Sequence, residues 1–258
     1  MIRGFDSHCH LQDDAFEEDR DAVYAKAREA GLGLIIPGYS RASSEAAVEL
    51  AHDLEDTFAL VGVHPHDAKD FDDQDEALIR TWATNPVVVG IGEIGLDYHY
   101  DFSPRAIQRD VFLRQLRLAR ELELPVSVHS REAEADTLAL IDQAMPVRGV
   151  LHCFTGSQEF ADGVLARGFY ISFSGVVTFA NAKALRQVVQ SVSLERMLIE
   201  TDSPYLAPVP FRGRRNQPAY VAKVAELIAA QKNCSVKEVF SRTTANTIKA
   251  FMRNPVGL

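Results

Sequence analysis

Eight short runs of β-branched and apolar residues, nearly all followed by a segment with helical spacing, predict a (β/α)8 TIM barrel with an additional C-terminal helix. Strict alternation of strand and helix implies a parallel sheet with right-handed crossovers. Eight such units in 258 residues fit a closed barrel better than an open doubly wound sheet. No Gly-x-Gly-x-x-Gly follows the first run, so neither a dinucleotide fold nor a nucleotide cofactor gains support.

The strands are expected near 3–8, 33–37, 58–63, 87–91, 125–128, 149–152, 169–172 and 197–199. Amphipathic segments lie between them at 15–30, 43–55, 74–83, 105–123, 132–144, 158–167 and 180–191. Segment 105–123 shows the pattern well, with Ile107, Val111, Leu113, Leu116, Leu118 and Leu122 set among arginine and glutamate. Ser103-Pro104 marks the start of that helix, and Ser40 or Ser43 the start of the second. Two further helices, about 217–231 and 236–252, close the barrel with one to spare. With no Ser/Gly linker, low-complexity run or repeat beyond the alternation itself, residues 1–258 are read as one domain.

Hydrophobic residues make up 47% and charged ones 24%, an ordinary globular balance. No apolar run approaches the roughly 18–20 residues of a membrane span, and the N-terminus lacks the basic and apolar regions of a signal peptide. Cys9, Cys153 and Cys234 are few and odd in number, which suggests reduced thiols and a cytoplasmic location. A net charge of −9 argues against broad coating of nucleic acid or anionic membrane. It leaves room for an enzyme that grips nucleic acid at a small basic mouth. The sequence leaves the oligomeric state open.

The stretch Asp6-Ser7-His8-Cys9-His10 closes the first strand. Side chains two apart on a strand share a face, so His8 and His10 are expected to project together with Asp6 behind them. In such barrels the reactive groups sit at the C-terminal strand ends, where the sequence also places His64, Glu93, His129, Arg131, His152, Glu200 and Asp202. Six ligand-type residues, His8, His10, Glu93, His129, His152 and Asp202, thus share one rim. Uncompensated polar groups there are costly, which points to metal. Nitrogen and carboxylate donors suit Mg, Mn, Zn, Ni or Co. Six donors exceed what one tetrahedral ion takes and leave room for two ions about 3.5–4 Å apart, with Glu93 as the bridging carboxylate. Every lysine falls in a predicted helix or loop, which disfavours a carbamylated lysine in that role. Alternation turns Cys9 and Cys153 away, as apolar fillers of the helix layer. Arg212, Arg214 and Arg215, after the last strand, form a local anion trap, to which Arg131 adds a guanidinium. Tyr98, His99, Tyr100, Phe102, Phe154, Phe173 and Phe179 supply rings on which a base stacks.

With these residues in place, the chain resembles the TatD family of metal-dependent deoxyribonucleases in the amidohydrolase superfamily. The motifs that carry the resemblance are Asp6-Ser7-His8-Cys9-His10-Leu11, Gly62-Val63-His64-Pro65-His66, Gly92-Glu93-Ile94-Gly95-Leu96-Asp97-Tyr98, His152-Cys153-Phe154-Thr155-Gly156, Glu200-Thr201-Asp202-Ser203-Pro204-Tyr205-Leu206 and Arg212-Gly213-Arg214-Arg215-Asn216. They run through essentially the whole chain in the family's order. Phe211 departs from the polar residue, often histidine, expected before Arg212, which bears on substrate contact and not on the metal site.

The resemblance implies that His8, His10 and Asp202 hold one metal and His129 and His152 the other, with Glu93 shared. His64 and Glu200 then stand behind the ligands or on the substrate side. It also implies a 3′-5′ exodeoxyribonuclease acting on single-stranded ends with two divalent ions, Mg or Mn functional. Glu93 and Asp202 carry the catalytic work on a metal-activated water, and the arginines meet the phosphoryl charge. Two rivals are a metal-dependent hydrolase of a small carboxylic ester, amide or lactone, and a metal-binding scaffold protein.

Overall fold

Strands buried on both faces read as near-continuous apolar runs, and these runs fold into β1 (Gly4–Asp6), β2 (Leu32–Pro37), β3 (Thr57–Val61), β4 (Val88–Asp97), β5 (Val126–Arg131), β6 (Gly149–Leu151), β7 (Tyr170–Phe173) and β8 (Met197–Ile199). The structure, a computed structural model, describes residues 2–252; the ends of the predicted domain, residue 1 and 253–258, lie outside the described residues. All strands are parallel and pair in chain order in one eight-stranded sheet. The Ser7 N–H donates to the Ile199 carbonyl at 3.1 Å and the Asp202 N–H to the His8 carbonyl at 2.9 Å, which join the two edges. The architecture is a TIM barrel with an additional C-terminal helix.

Crossovers are made by α1 (Arg20–Glu29), α2 (Arg41–Asp53), α3 (Asp73–Trp82), α4 (Arg105–Glu121), α5 (Glu134–Ala144), α6 (Gln158–Ala166) and α7 (Lys183–Ser191), followed by α8 (Val221–Lys232) and α9 (Val236–Phe251). Along each strand alternate residues serve two cores. Leu34, Ile36, Ala59, Val61 and Ile199 pack outward against helix residues such as Ala47, Leu116 and Val224. Phe5, Ile35, Leu60, Val89, Val150 and Leu198 fill the barrel, together with Ala250, Phe251 and Met252. The spare helix therefore plugs one end of the interior with its last turn and leaves the other end for chemistry.

Local departures from the sequence reading have physical causes. Ser40 caps α2 with a reciprocal bond from Ser43. Ser103 does not cap α4, which begins after Pro104 with no side-chain cap. Its hydroxyl instead donates to the His66 carbonyl at 2.8 Å and accepts the Lys69 N–H at 3.0 Å, tying two rim loops together. β1 stops at Asp6, so His8 and His10 follow the strand instead of ending it. β4 runs to Asp97, so Glu93 lies inside the strand. A register shift between Ile91 and Ile94 lets β4 keep pairing with β5 as far as Asp97 and Arg131. Gly95 makes that pairing possible: with φ +145, an added Cβ would sit 1.9 Å from the His129 carbonyl oxygen.

Candidate metal centre

The first two histidines are placed by the barrel seam. The Asp6 carboxylate accepts the Thr201 N–H at 2.8 Å and also its hydroxyl, so Asp6 fastens β1 to the segment after β8 and does not join the histidines. The His10 N–H donates to the Ser203 carbonyl at 2.8 Å. His8 and His10 then meet edge to face with ring centroids 5.0 Å apart, while His8 stacks on His152 at 3.9 Å.

Glu93 is the hub, only 5% exposed. Its Oε2 lies 3.4 Å from His8 Nε2 and 3.8 Å from His10 Nε2. Its Oε1 lies 2.8 Å from His152 Nε2, 3.0 Å from His129 Nδ1 and 3.3 Å from His64 Nε2. Asp202 Oδ1 completes the first set, 3.5 Å from His10 Nε2 and 3.8 Å from His8 Nε2. Three groups of donors converge: His8 with Glu93 and His152, His8 with His10 and Asp202, and His64 with Glu93 and His129. The sequence reading set His64 behind the ligands or on the substrate side. Its position against Glu93 Oε1 puts it among the donors as well.

Behind these groups stand two buried carboxylates. Asp97 Oδ2 lies 3.3 Å from His129 Nε2 and 3.0 Å from His66 Nε2, while its Oδ1 accepts the N–H groups of His99 and Tyr100. Glu200 Oε1 lies 3.5 Å from His152 Nδ1 and accepts the Cys153 N–H. Carboxylates in such positions fix ring orientation and raise ligand basicity. The sequence reading did not single out Asp97 or His66. The signal was there, because His64-Pro65-His66 repeats the spacing of His8 and His10, and Asp97 ends the strand that carries Glu93.

Burial opposes charge throughout this cluster, and neighbours decide the outcome. Burial would raise Glu93, yet His152, His64 and His129 hold its carboxyl well below the usual range. Burial likewise works against Asp202, which His10 and His8 bring down to about 2. His152 is pushed well up, against burial, by Glu93 and Glu200, and His129 up by Asp97 and Glu93. His10 also rises, against burial, through Asp202 and Glu93. Burial wins at His64, which falls to about 4, and at His8, which His152 lowers further.

All the donors except fully buried His8 line a cavity of about 860 Å³, together with Tyr39, His66, Tyr100, Phe102, Arg131 and Tyr205. Three non-glycine residues that line it adopt the left-handed region, Asp202 at φ +56, Leu206 at φ +55 and Cys153 at φ +43. Such backbone costs energy and is found where surrounding structure holds it for function. The turn at Cys153 corrects one expectation. β6 ends at Leu151, so alternation no longer applies, and Cys153 lines the cavity with Sγ 3.2 Å from Ser174 Oγ. Cys9 does fill the helix-layer core.

The structure does not bring the three loop arginines together at the mouth. Arg215 is spent on the segment before α1: it pairs with Asp19 at 2.6 Å, donates to the Ala15 carbonyl and covers the Phe16 ring. Arg212 lies 3.7 Å over the ring of Phe179, which lines the cavity, and donates to the Ala207 carbonyl. Arg214 is exposed beside them. Arg131 does line the cavity, with its guanidinium 4.7 Å over the Tyr100 ring. Phe154 and Phe173 are packing residues of the core, and Tyr98 turns away to donate to Asp136.

The donor set fits divalent metal. Two atoms each about 2.1 Å from a shared ion lie roughly 3–3.5 Å apart, and the spacings around Glu93 run from 2.8 to 3.8 Å. His8 Nε2 is buried, faces two carboxylates and makes no hydrogen bond. A buried nitrogen in that state is costly without a partner, and a cation supplies one.

The chain is similar to known proteins along nearly its whole length. The family model described as TatD related DNase matches residues 5–252. The uncharacterized metal-dependent hydrolase YabD of Bacillus subtilis is 42% identical over 253 residues, covering 97% of this chain and 99% of the relative. A protein of Cronobacter sakazakii named 3′-5′ ssDNA/RNA exonuclease TatD is 38% identical over 259 residues, covering 97% and 98%. Among solved structures, a TatD homolog from Escherichia coli K12, YJJV, superposes with a TM-score of 0.91 at 27% identity, covering 97% of this chain and 98% of that one.

Proposed function

Because the chain belongs to the TatD related DNase family, we propose that this metal-dependent hydrolase removes nucleotides from the 3′ ends of single-stranded DNA by phosphodiester hydrolysis. The observation that carries the reading is the division of Glu93: one carboxylate oxygen faces His8 and His10, the other His64, His129 and His152. That division suits two divalent ions bridged by one carboxylate, with His8, His10 and Asp202 on one side and His129 and His152 on the other. Ions held there would lower the pKa of a bound water and offset charge on phosphoryl oxygens. Mg and Mn suit the carboxylates, and Zn, Ni or Co suit the imidazoles.

The chain's own groups then do the following. Asp202, whose side chain is open to the cavity, accepts a hydrogen bond from the attacking water and orients it toward phosphorus. His64 reaches Glu93 from the open side and meets the substrate oxygen or completes the donor set. Glu200 holds His152 from behind. Arg131 at the cavity, with Arg212 and exposed Arg214 beyond it, meets flanking phosphates in an otherwise acidic protein. The polarity and strand preference are supported by relatives named 3′-5′ ssDNA/RNA exonucleases. Residues 1–258 act as one domain in this reading, since all donors lie in or shortly after strands of one sheet. A cytoplasmic setting suits its three unpaired thiols, and no helix of the described residues is long and apolar enough to cross a membrane.

The test is hydrolysis of 3′- and 5′-labelled single-stranded DNA by metal-stripped protein resupplied with Mg or Mn. A ladder shortening from the 3′ end, weakened by salt, is expected. No cleavage by protein shown to hold metal would favour the carboxylic ester, amide or lactone hydrolase.

A further inference from the structure

The loop between β4 and α4 leaves two large rings in water at the cavity mouth. Tyr100 is 49% and Phe102 57% exposed, although rings of this size gain much from burial. Their centroids are 5.2 Å apart with planes 13° from parallel, so the two rings stack as one exposed aromatic pair. Arg131 covers the Tyr100 ring at 4.7 Å, and His66 meets Phe102 edge-on at 4.8 Å. All four line the same cavity as the donor cluster.

The pair is held in place. Asp97 Oδ1 accepts the His99 N–H at 2.9 Å and the Tyr100 N–H at 3.0 Å, and its Oδ2 reaches His66 and His129. Lys69 Nζ donates to the Phe102 carbonyl at 3.4 Å. One buried carboxylate therefore positions both a candidate ligand and the exposed rings. From Glu93 Oε1 the route to Phe102 passes through His64 at 3.3 Å, then His66 with centroids 4.3 Å apart. The rings stand three contacts from the hub, beside a guanidinium.

We propose that Tyr100 and Phe102 form a stacking platform for the nucleobase next to the scissile phosphate, with Arg131 taking the adjoining phosphate. This rests on the nuclease reading and adds to it the group that seats the substrate. A ring face and a cation together select a base joined to a phosphate. Stacking is tolerant of sequence, since every base has a π-face. The platform therefore grips any 3′-terminal nucleotide and discriminates against one that lacks its base.

Two measurements test it on the full chain with Mg or Mn. In the first, kcat/KM for removal of the terminal nucleotide is compared between an oligonucleotide with an intact 3′ base and one abasic there. The wild-type ratio is expected at about tenfold or more, because stacking contributes roughly 1–3 kcal/mol per base. It should fall toward one in the Tyr100→Ala/Phe102→Ala variant and persist in Phe102→Trp. In the second, 2-aminopurine at the 3′ end, behind a phosphorothioate linkage that slows cleavage, should be quenched on binding, and the double alanine variant should lose the quench. Both rings are surface groups, so their truncation opens no core cavity. A wild-type ratio near one, or a ratio or quench that survives the double substitution, overturns the platform. If the quench behaves as expected but no oligonucleotide is shortened, the exonuclease reading falls and the platform stands. If the oligonucleotide does not bind, both fall.

Discussion

On one bank of the cavity the loop after β8 carries Arg212, Arg214 and Arg215; on the other, the loop after β4 carries Tyr100 and Phe102, with Arg131 of β5 beside them. By charge alone the first bank is the better anion site. Its arginines, however, are largely committed: Arg215 to Asp19 and Phe16, Arg212 to Phe179 and the Ala207 carbonyl. The second bank has one arginine, and it lines the cavity. Guanidinium groups are planar donors that serve as structural clamps as readily as phosphate ligands. Which role an arginine takes is set by what the fold places in front of it.

The largest effect expected is at Glu93, which both banks share. Glu93→Ala should lower DNA hydrolysis by on the order of a thousandfold and reduce bound metal, with the circular dichroism spectrum unchanged. A folded variant that cleaves at the wild-type rate would sink the bridging role.

Asp97→Asn acts on the β4 bank alone, through His129 and the 98–102 loop. A loss of about 10–100-fold in metal affinity or activity is expected, together with a reduced preference for base-bearing over abasic ends. Loss of activity with that preference intact would separate the ligand from the platform.

The direct contrast is Arg131→Ala against Arg215→Ala. Removing Arg131 should raise KM for single-stranded DNA several-fold and flatten the log–log salt dependence by about one unit. Removing Arg215 should leave both in place and slightly lower the thermal midpoint, because its partner, Asp19, lies at the start of α1 and away from the donors. The reverse outcome would restore the β8 loop as the phosphate grip.

The smallest effect is a proton count. His10, His129 and His152 carry pKa values raised, against burial, by Asp202, Asp97, Glu93 and Glu200, so metal-free protein keeps protons on them to higher pH than a free imidazole would. His64 and His8 are lowered and already uncharged near neutrality. Ions bind neutral imidazole, so uptake should release protons and strengthen as pH rises. Calorimetry in buffers of different ionisation enthalpy reads this directly. Enthalpies that ignore the buffer would refute it.

Much of the site was legible in the chain. His8, His10, His152 and Asp202 follow strands of one parallel sheet, Glu93 and His129 lie within the C-terminal halves of two others, and a barrel has a single C-terminal rim. Asp97 was not legible as a hub, because its partners come from β3 and β5. Cys153 was misplaced, since alternation stops where the strand does.

By itself the sequence determined the order of strands and helices, the residues that gather at one end of the barrel and the donor chemistry there. These follow from periodicity, which each residue shares with its chain neighbours. Only the tertiary structure decided which arginines remain free, which carboxylates stand behind which imidazoles and which rings stay in water. Those outcomes depend on groups far apart in sequence, Arg215 with Asp19 or Asp97 with His66, and on burial, which no local pattern contains.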